Sequence, residues 1–398
     1  MTIKIAHIAK FTHNIGEGAL IRGIHETFKA DVSNEIEFFA FDRKDFQAMH
    51  GREFADDSVT SRVDRDFVKF INDNFHMLMI GGGGVFQTGH YDQIGGMAVA
   101  GDLDALYDLR CPLVIYGVGD NRFNDANPFD YQVEFLNLID YINSNDYKFS
   151  FRDDGSCERL STIVSKSLID HVNVIPDPGL FINISLQDHP LVSKKHKTIL
   201  FQVAGDRLHE RLSINSGLSA DECIDSFVRD VVEALSLLSL NFDARIILAP
   251  HIPSDYELIV RIIKVASEKR FGRSGFMRER VSVNYCSSGF DGAPNFFSIY
   301  PLVDLVIGMR FHSVVCASGL GVPCIAIDTM PKVGQFMERF GLGRFVVPST
   351  DANLTKSLYE SASSLLYENS DWMRIRNASM LKAREDIHEF NSACARLL

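Results

Sequence analysis

Short apolar runs, each closed by glycine or small polar residues and followed by residues at helical spacing, recur along the whole chain. Ile3 to Ile8, Ile36 to Phe41, Met77 to Ile80, Leu113 to Tyr116, Phe149 to Phe151 and Val172 to Ile175 are such runs in the first half. Thr198 to Val203, Arg245 to Leu248, Val281 to Asn284, Leu302 to Ile307 and Val322 to Ile327 are their counterparts in the second. An apolar run bounded by turn residues reads as a strand buried on both faces, and alternation with helices gives a parallel sheet covered by helices. Such sheets are open α/β structures, and they bind ligands at the carboxyl edge of their strands.

The series is interrupted once. Asp177-Pro178-Gly179-Leu180 is a turn signal at the end of the first set, and Gln187 to Lys197 is polar and contains Pro190. At 398 residues the chain also exceeds what one ordinary core holds. The expected organisation is an α/β domain over 1–186, a linker over 187–197 and a second α/β domain over 198–370. A C-terminal helix over 371–398 is free to cross back to the first domain. Both domains are expected to be doubly wound parallel sheets facing a cleft.

Charge narrows the partners. The net charge is -12, and residues 1–190 carry 29 acidic and 16 basic side chains against 23 and 24 in residues 191–398. An acidic chain without a basic stripe is a poor nucleic-acid binder. The second half, free of net negative charge, is the better place for an anionic ligand. No uncharged apolar stretch is long enough for a membrane span, and His7, Lys10, His13, Glu17 and Arg22 break any signal-peptide pattern. Seven cysteines without a C-x-x-C pair point to a reducing compartment. The cytoplasm is the expected location, with contact at the inner face of the membrane left open. No metal is implied, because neither His-Glu-x-x-His nor a carboxylate cluster occurs.

The polar residues that interrupt this pattern fall at strand ends. Ile307 to Gly334 reads as strand, turn, helix, turn, strand, with Arg310 and His312 where the first strand hands over to the helix. An arginine and a histidine at a helix N-terminus suit a phosphate or carboxylate, although either residue can also be a satisfied structural group. Lys332 follows the second strand, and Arg207 and His251 close two others. In the first half, Asn14, Gly16 and Glu17 form a polar glycine turn, Gly81 to Gly84 follow Ile80, and Arg152-Asp153 ends a strand. Four consecutive glycines read either as a nest of N–H groups facing a substrate, chiefly Gly82, Gly83 and Gly84, or as a tight turn.

Arg310-x-His312, a helix of small residues, Gly321-x-Pro323, an apolar strand and Lys332 together resemble the signature of the polysaccharide pyruvyl transferase family. Asn14-x-Gly16-Glu17, the glycine run, Arg152-Asp153, Asp177-Pro178 and His251 extend the resemblance over nearly the whole chain. Glu17 stands where that family usually has Asp, and Gln87 where it often has an acid, which puts the acceptor in question. The resemblance implies a GT-B-like α/β fold and a transferase that moves a pyruvyl group from phosphoenolpyruvate onto sugar hydroxyls as a ketal. Phosphoenolpyruvate is then a co-substrate, with no cofactor, and the acceptor is a sugar or a lipid-linked or nucleotide-linked glycan. It also implies roles: Arg310 for the donor, His312 for proton transfer, His251 as a second acid–base group, and Lys332 and Arg152 as further anion binders. Asn14, Gly16, Glu17 and Arg207 are expected to line the substrate. Two other readings fit the same residues: a GT-B-type glycosyltransferase using a nucleotide sugar, and a non-catalytic sugar-phosphate binding protein.

Overall fold

The structure, a computed structural model, describes residues 2–11, 14–32, 34–42, 62–86, 94–121, 132–161, 172–212, 219–268, 279–286 and 289–398. Gln87 lies outside the described residues, as do the ends of two helices expected to reach Val164 and Arg270.

The chain divides into two compact units. One comprises residues 1–12, 20–181 and 381–398, the other residues 13–19 and 182–380. In the first, strands β1 (Ile3–Ala9), β2 (Ile36–Asp42), β3 (Met77–Phe86), β4 (Leu113–Asp120), β5 (Lys148–Arg152) and β6 (Asn173–Ile175) form one sheet in the order β2-β1-β3-β4-β5-β6. Every pairing is parallel. Helix α1 (Ile15–Asp31) joins β1 to β2, and α2 (Arg65–Asn74) precedes β3. Every residue of β3 and β4 is buried. This is why their sequence is apolar throughout rather than alternating.

The glycine run departs from the sequence expectation. Gly81 to Gly84 are not a loop after a strand closing at Ile80; they lie inside β3, which continues to Phe86. Its neighbour β4 likewise runs past Tyr116 to Asp120, and the two pair as Gly81↔Tyr116, Gly83↔Val118 and Gly84↔Gly119. The physical reason is close approach. A Cβ on Gly81 would stand 2.3 Å from the Tyr116 carbonyl oxygen, and one on Gly82 2.7 Å from Leu20 Cδ2. Their φ angles of 138° and 81° also disfavour any side chain.

One histidine is sealed into this core. His7 is fully buried, with Nδ1 2.9 Å from His25 Nε2 and Nε2 3.2 Å from the Gly81 carbonyl oxygen. Burial pulls its pKa down to about 4. The last turns of the C-terminal helix (Ser370–Ala395) also pack in this unit. Asp31 accepts from Arg384 and from Asn391 Nδ2, and Asn391 Oδ1 accepts from the Tyr116 hydroxyl at 2.6 Å.

The second unit holds β7 (Lys197–Val203), β8 (Ala244–Pro250), β9 (Val281–Val283), β10 (Leu305–Gly308), β11 (Cys324–Asp328) and β12 (Val346–Pro348). They form a parallel sheet in the order β12-β11-β10-β7-β8-β9. The order reverses between β7 and β10, and a crevice at such a reversal is where doubly wound sheets take ligands. Two expected boundaries shift here. Tyr300 to Leu302 is a helical turn, so β10 starts only at Leu305. The helix after it, expected over Phe311 to Ser318 and ended by Gly319, spans Phe311–Leu320 and ends at Gly321, whose φ of 76° supplies the left-handed stop. Two helices not read from the sequence, Gly289–Phe297 and Pro331–Arg339, complete the layer. Among the described residues, no helix is long and apolar enough to cross a membrane.

Candidate active site

Four strands of the second sheet, β7, β8, β10 and β11, deliver their carboxyl ends to one edge. Arg310 stands at the centre of that edge, as the N-cap residue of the Phe311–Leu320 helix. Its backbone N–H donates to Gln202 Oε1 at 2.7 Å, which fixes it against the end of β7. Its guanidinium forks onto Asp255, with Nε 3.1 Å from Oδ2 and Nη2 on Oδ1, and Nη2 also reaches Asp206 Oδ1 at 2.5 Å. Burial opposes its charge, but Asp255 and Asp206 outweigh that and hold its pKa above the ordinary arginine value.

Asp255 is wholly buried and organises three loops at once. Its carboxylate accepts from the N–H of Gly205 at 2.8 Å, of His251 at 2.8 Å and of Ile252 at 3.1 Å, besides binding Arg310. Asp255, the first residue of the Asp255–Ala266 helix, thereby closes the loop that begins at His251.

A second arginine joins the cluster. Arg211 is buried, and its Nε donates to the Asp206 carbonyl at 2.8 Å, its Nη2 to Asp206 Oδ1 at 3.0 Å and its Nη1 to Thr329 Oγ1 at 3.4 Å. Burial first, then the neighbouring Arg310, brings its pKa down to about 10. Asp206 thus sits between two guanidinium groups, and its pKa lies below the usual carboxylate value: burial works against this, and Arg310 and Arg211 prevail.

Two histidines adjoin this charge cluster, His251 through its backbone N–H on Asp255 and His312 two residues after Arg310. His251 is buried at the end of β8, its ring edge-on to Phe296 and Phe297. Its Nε2 is 3.4 Å from the Tyr300 hydroxyl, which is 3.1 Å from Ser313 Oγ. Burial above all, then the charge of Arg310 and the neighbouring His312, hold its pKa well below the ordinary histidine value. His312 occupies the first turn of the Phe311–Leu320 helix and is nearly buried. Gly16 packs on it: a Cβ there would lie 2.7 Å from His312 Cβ and 2.8 Å from Nδ1. Asn14 caps Gly16 through Oδ1 at 2.9 Å, and the Ile15 N–H lies 3.4 Å from the His251 carbonyl oxygen. Asn14, Gly16 and Glu17 therefore group with His251, Arg310 and His312 in the second unit, although they follow the first strand of the chain.

The remaining sequence candidates fall elsewhere. Arg207 is half-exposed and pairs with Glu210. Lys332 stands in the first turn of the Pro331–Arg339 helix, its Nζ 5.9 Å from the Phe311 ring centroid. In the first unit, Gly82, Gly83 and Gly84 belong to β3. Arg152 there is buried against Asp154, with Nε 2.5 Å from Oδ2, and lies 3.5 Å from Asp177. Sequence reasoning missed Asp206, Arg211, Tyr300 and Thr329. Asp206 and Arg211 bracket the chosen Arg207, and nothing in the spacing tells which arginine turns inward; Arg211 does, while Arg207 has a left-handed backbone at φ 53°. Among the described residues, no group of three or more His, Cys, Asp or Glu side chains is arranged to hold a metal ion.

A sequence model of polysaccharide pyruvyl transferases matches residues 14–329, from Asn14, which caps Gly16, to Thr329, which accepts from Arg211. The chain belongs to the polysaccharide pyruvyl transferase family. Lys332 lies just beyond the matched stretch. No curated protein matches the chain. Among solved structures it is similar to a Listeria monocytogenes protein assigned as a UDP-N-acetylglucosamine 2-epimerase, with 14% identity, TM-score 0.56, and coverage of 94% of this chain and 91% of that one. It is also similar to the UDP-GlcNAc 2-epimerase of Neisseria meningitidis, solved bound to UDP-GlcNAc (12% identity, TM-score 0.52, coverage 96% and 98%). The UDP-GlcNAc 2-epimerase of Methanocaldococcus jannaschii is a third such structure, at 11% identity, TM-score 0.52 and coverage of 92% and 93%. At these identities the likeness carries the fold, two parallel-sheet units of the GT-B type, and says nothing of this pyruvyl transferase family member's chemistry.

Proposed function

We propose that this protein transfers a pyruvyl group from phosphoenolpyruvate to two hydroxyls of a sugar in a cell-surface polysaccharide or its precursor, forming a ketal. The observation that carries the reading is the convergence of Arg310, Arg211 and two histidines at the strand-order reversal of the second sheet, in a chain of this family. Arginine forks suit the carboxylate and phosphate of the donor.

The chemistry needs a proton on the methylene carbon of the enol and a hydroxyl oxygen on the carbon beside it. Phosphate then leaves that carbon, and a second hydroxyl takes its place. Of the two hydroxyl protons, one balances the new C–H bond and the other leaves with phosphate. His312 delivers the proton to carbon. His251 does not suit that role, because a general acid must be protonated at working pH and burial keeps His251 neutral. Neutral His251, oriented by Tyr300, instead supports the cluster or accepts a hydroxyl proton. Asn14, Gly16 and Glu17 shape the wall beside His312, and the acceptor is a free, lipid-linked or nucleotide-linked glycan. A lipid-linked acceptor places the enzyme in the cytoplasm, at the inner face of the membrane.

The test is release of inorganic phosphate from phosphoenolpyruvate, measured over a panel of sugar, lipid-linked and nucleotide-linked acceptors. The expected result is release that depends on one acceptor and a product heavier by one pyruvate less one water. Transfer of a sugar from a nucleotide donor, with phosphoenolpyruvate inert, would replace this reading by the glycosyltransferase one.

A further inference from the structure

Asp255 and Asp206 both bind Arg310, yet they are built differently. Asp255 is wholly buried and closes three backbone N–H groups, so its carboxylate is part of the frame. The Asp206 side chain is 28% exposed, on the loop that leaves β7, and among the described residues its carboxylate hydrogen bonds run to the two arginines. A carboxylate oxygen held by Arg211 at 3.0 Å and Arg310 at 2.5 Å occupies the position that an anionic ligand group would take. The cluster of two arginines and two aspartates is also neutral as it stands, which is a poor receptor for a multiply charged donor.

We propose that Asp206 is an internal anion that fills the arginine pair until a ligand anion displaces it, and so sets the affinity of the site for its donor. This rests on the donor reading given above. Every ligand that uses the pair must first free it, so its apparent affinity is reduced by the fraction of molecules in which Asp206 has swung away. Removing the carboxylate leaves the cationic pair in place. Arg310 keeps its fork on Asp255, and Arg211 keeps Thr329 and the backbone carbonyl of residue 206.

The experiment is calorimetric titration of the full chain with inorganic phosphate and, separately, with phosphoenolpyruvate, comparing wild type, Asp206→Asn and Asp206→Ala. Melting curves first establish which variants are folded. The expected result is phosphate binding about tenfold tighter or more in each folded variant, the scale of one charge-assisted contact. Phosphate bound no more tightly than by wild type, or bound by none of the three proteins, overturns the proposal. Phosphate bound more tightly while phosphoenolpyruvate binds to none supports the role of Asp206 and overturns the donor reading instead.

Discussion

Arg310 has its guanidinium already committed in the structure, with Asp255 fixing its plane and Asp206 covering its outer edge. Its replacement by alanine leaves Asp255 buried without its partner, so Arg310→Ala should weaken donor binding strongly and also lower the melting temperature. His312 is different in kind. His312→Ala is expected to lower turnover by roughly a hundredfold or more, the usual scale for a lost general acid, with a much smaller change in donor affinity. His312→Gln keeps a hydrogen-bond donor but cannot carry the proton, so near-normal turnover in that variant would reduce His312 to a positioning group. Arg310 and His312 were legible in the sequence because a strand-to-helix junction has few residues. Asp206 and Arg211 were not, because a neighbouring arginine offered the same charge and nothing in the spacing separates them. His7 carries a pH prediction. Its folded pKa of about 4 lies below the ordinary 6.5, so between those values the unfolded chain binds a proton that the folded one refuses. Stability should therefore fall as pH drops from 6.5 to 4, by about 3 kcal/mol in all for this one group. Urea unfolding at several pH values would show a shallower fall for His7→Gln, and an unchanged fall would remove His7 from the account.

Strands and helices followed from apolar runs and their spacing, and their order along the chain already implied parallel sheets. The errors lay in element boundaries and in the two helices Gly289–Phe297 and Pro331–Arg339. Glycines read as a loop at Gly81 because glycine usually breaks a strand. Here two adjacent buried strands press so closely, with Leu20 of α1 over Gly82, that only glycine continues them. This predicts an order of effects. Gly81→Ala drives a Cβ into the Tyr116 backbone and should cost more than Gly82→Ala, which meets the movable ends of Leu20 and Ile24. With positive φ at both, costs of about 1–3 kcal/mol are expected at the milder site. Urea unfolding reads both, and a larger loss for Gly82→Ala would contradict the packing argument. Gly16 is a glycine of another kind, since its missing Cβ makes room for His312. Gly16→Ala should lower turnover well before it lowers the melting temperature, and a fall in both together would make it a packing residue.

The division into two sheet units was legible from the interruption after Val172 to Ile175, but the placement of residues 13–19 was not. They follow β1 in sequence yet belong with the second unit, whereas residues 381–398 belong with the first, a crossing that the sequence had left open. The exchange of residues 13–19 involves contacts such as His312 on Gly16 that no local pattern announces. The acidic balance of residues 1–190 against the near neutrality of residues 191–398 matches the placement of the arginine cluster in the second unit. The central claim is that this cluster takes phosphoenolpyruvate, and it can be tested without knowing the acceptor. The measurement is the shift in melting temperature of wild type and of Arg310→Ala on titration with phosphoenolpyruvate and with UDP-N-acetylglucosamine. A rise with phosphoenolpyruvate in wild type that is lost in Arg310→Ala is the predicted result; a rise with UDP-N-acetylglucosamine alone would contradict it.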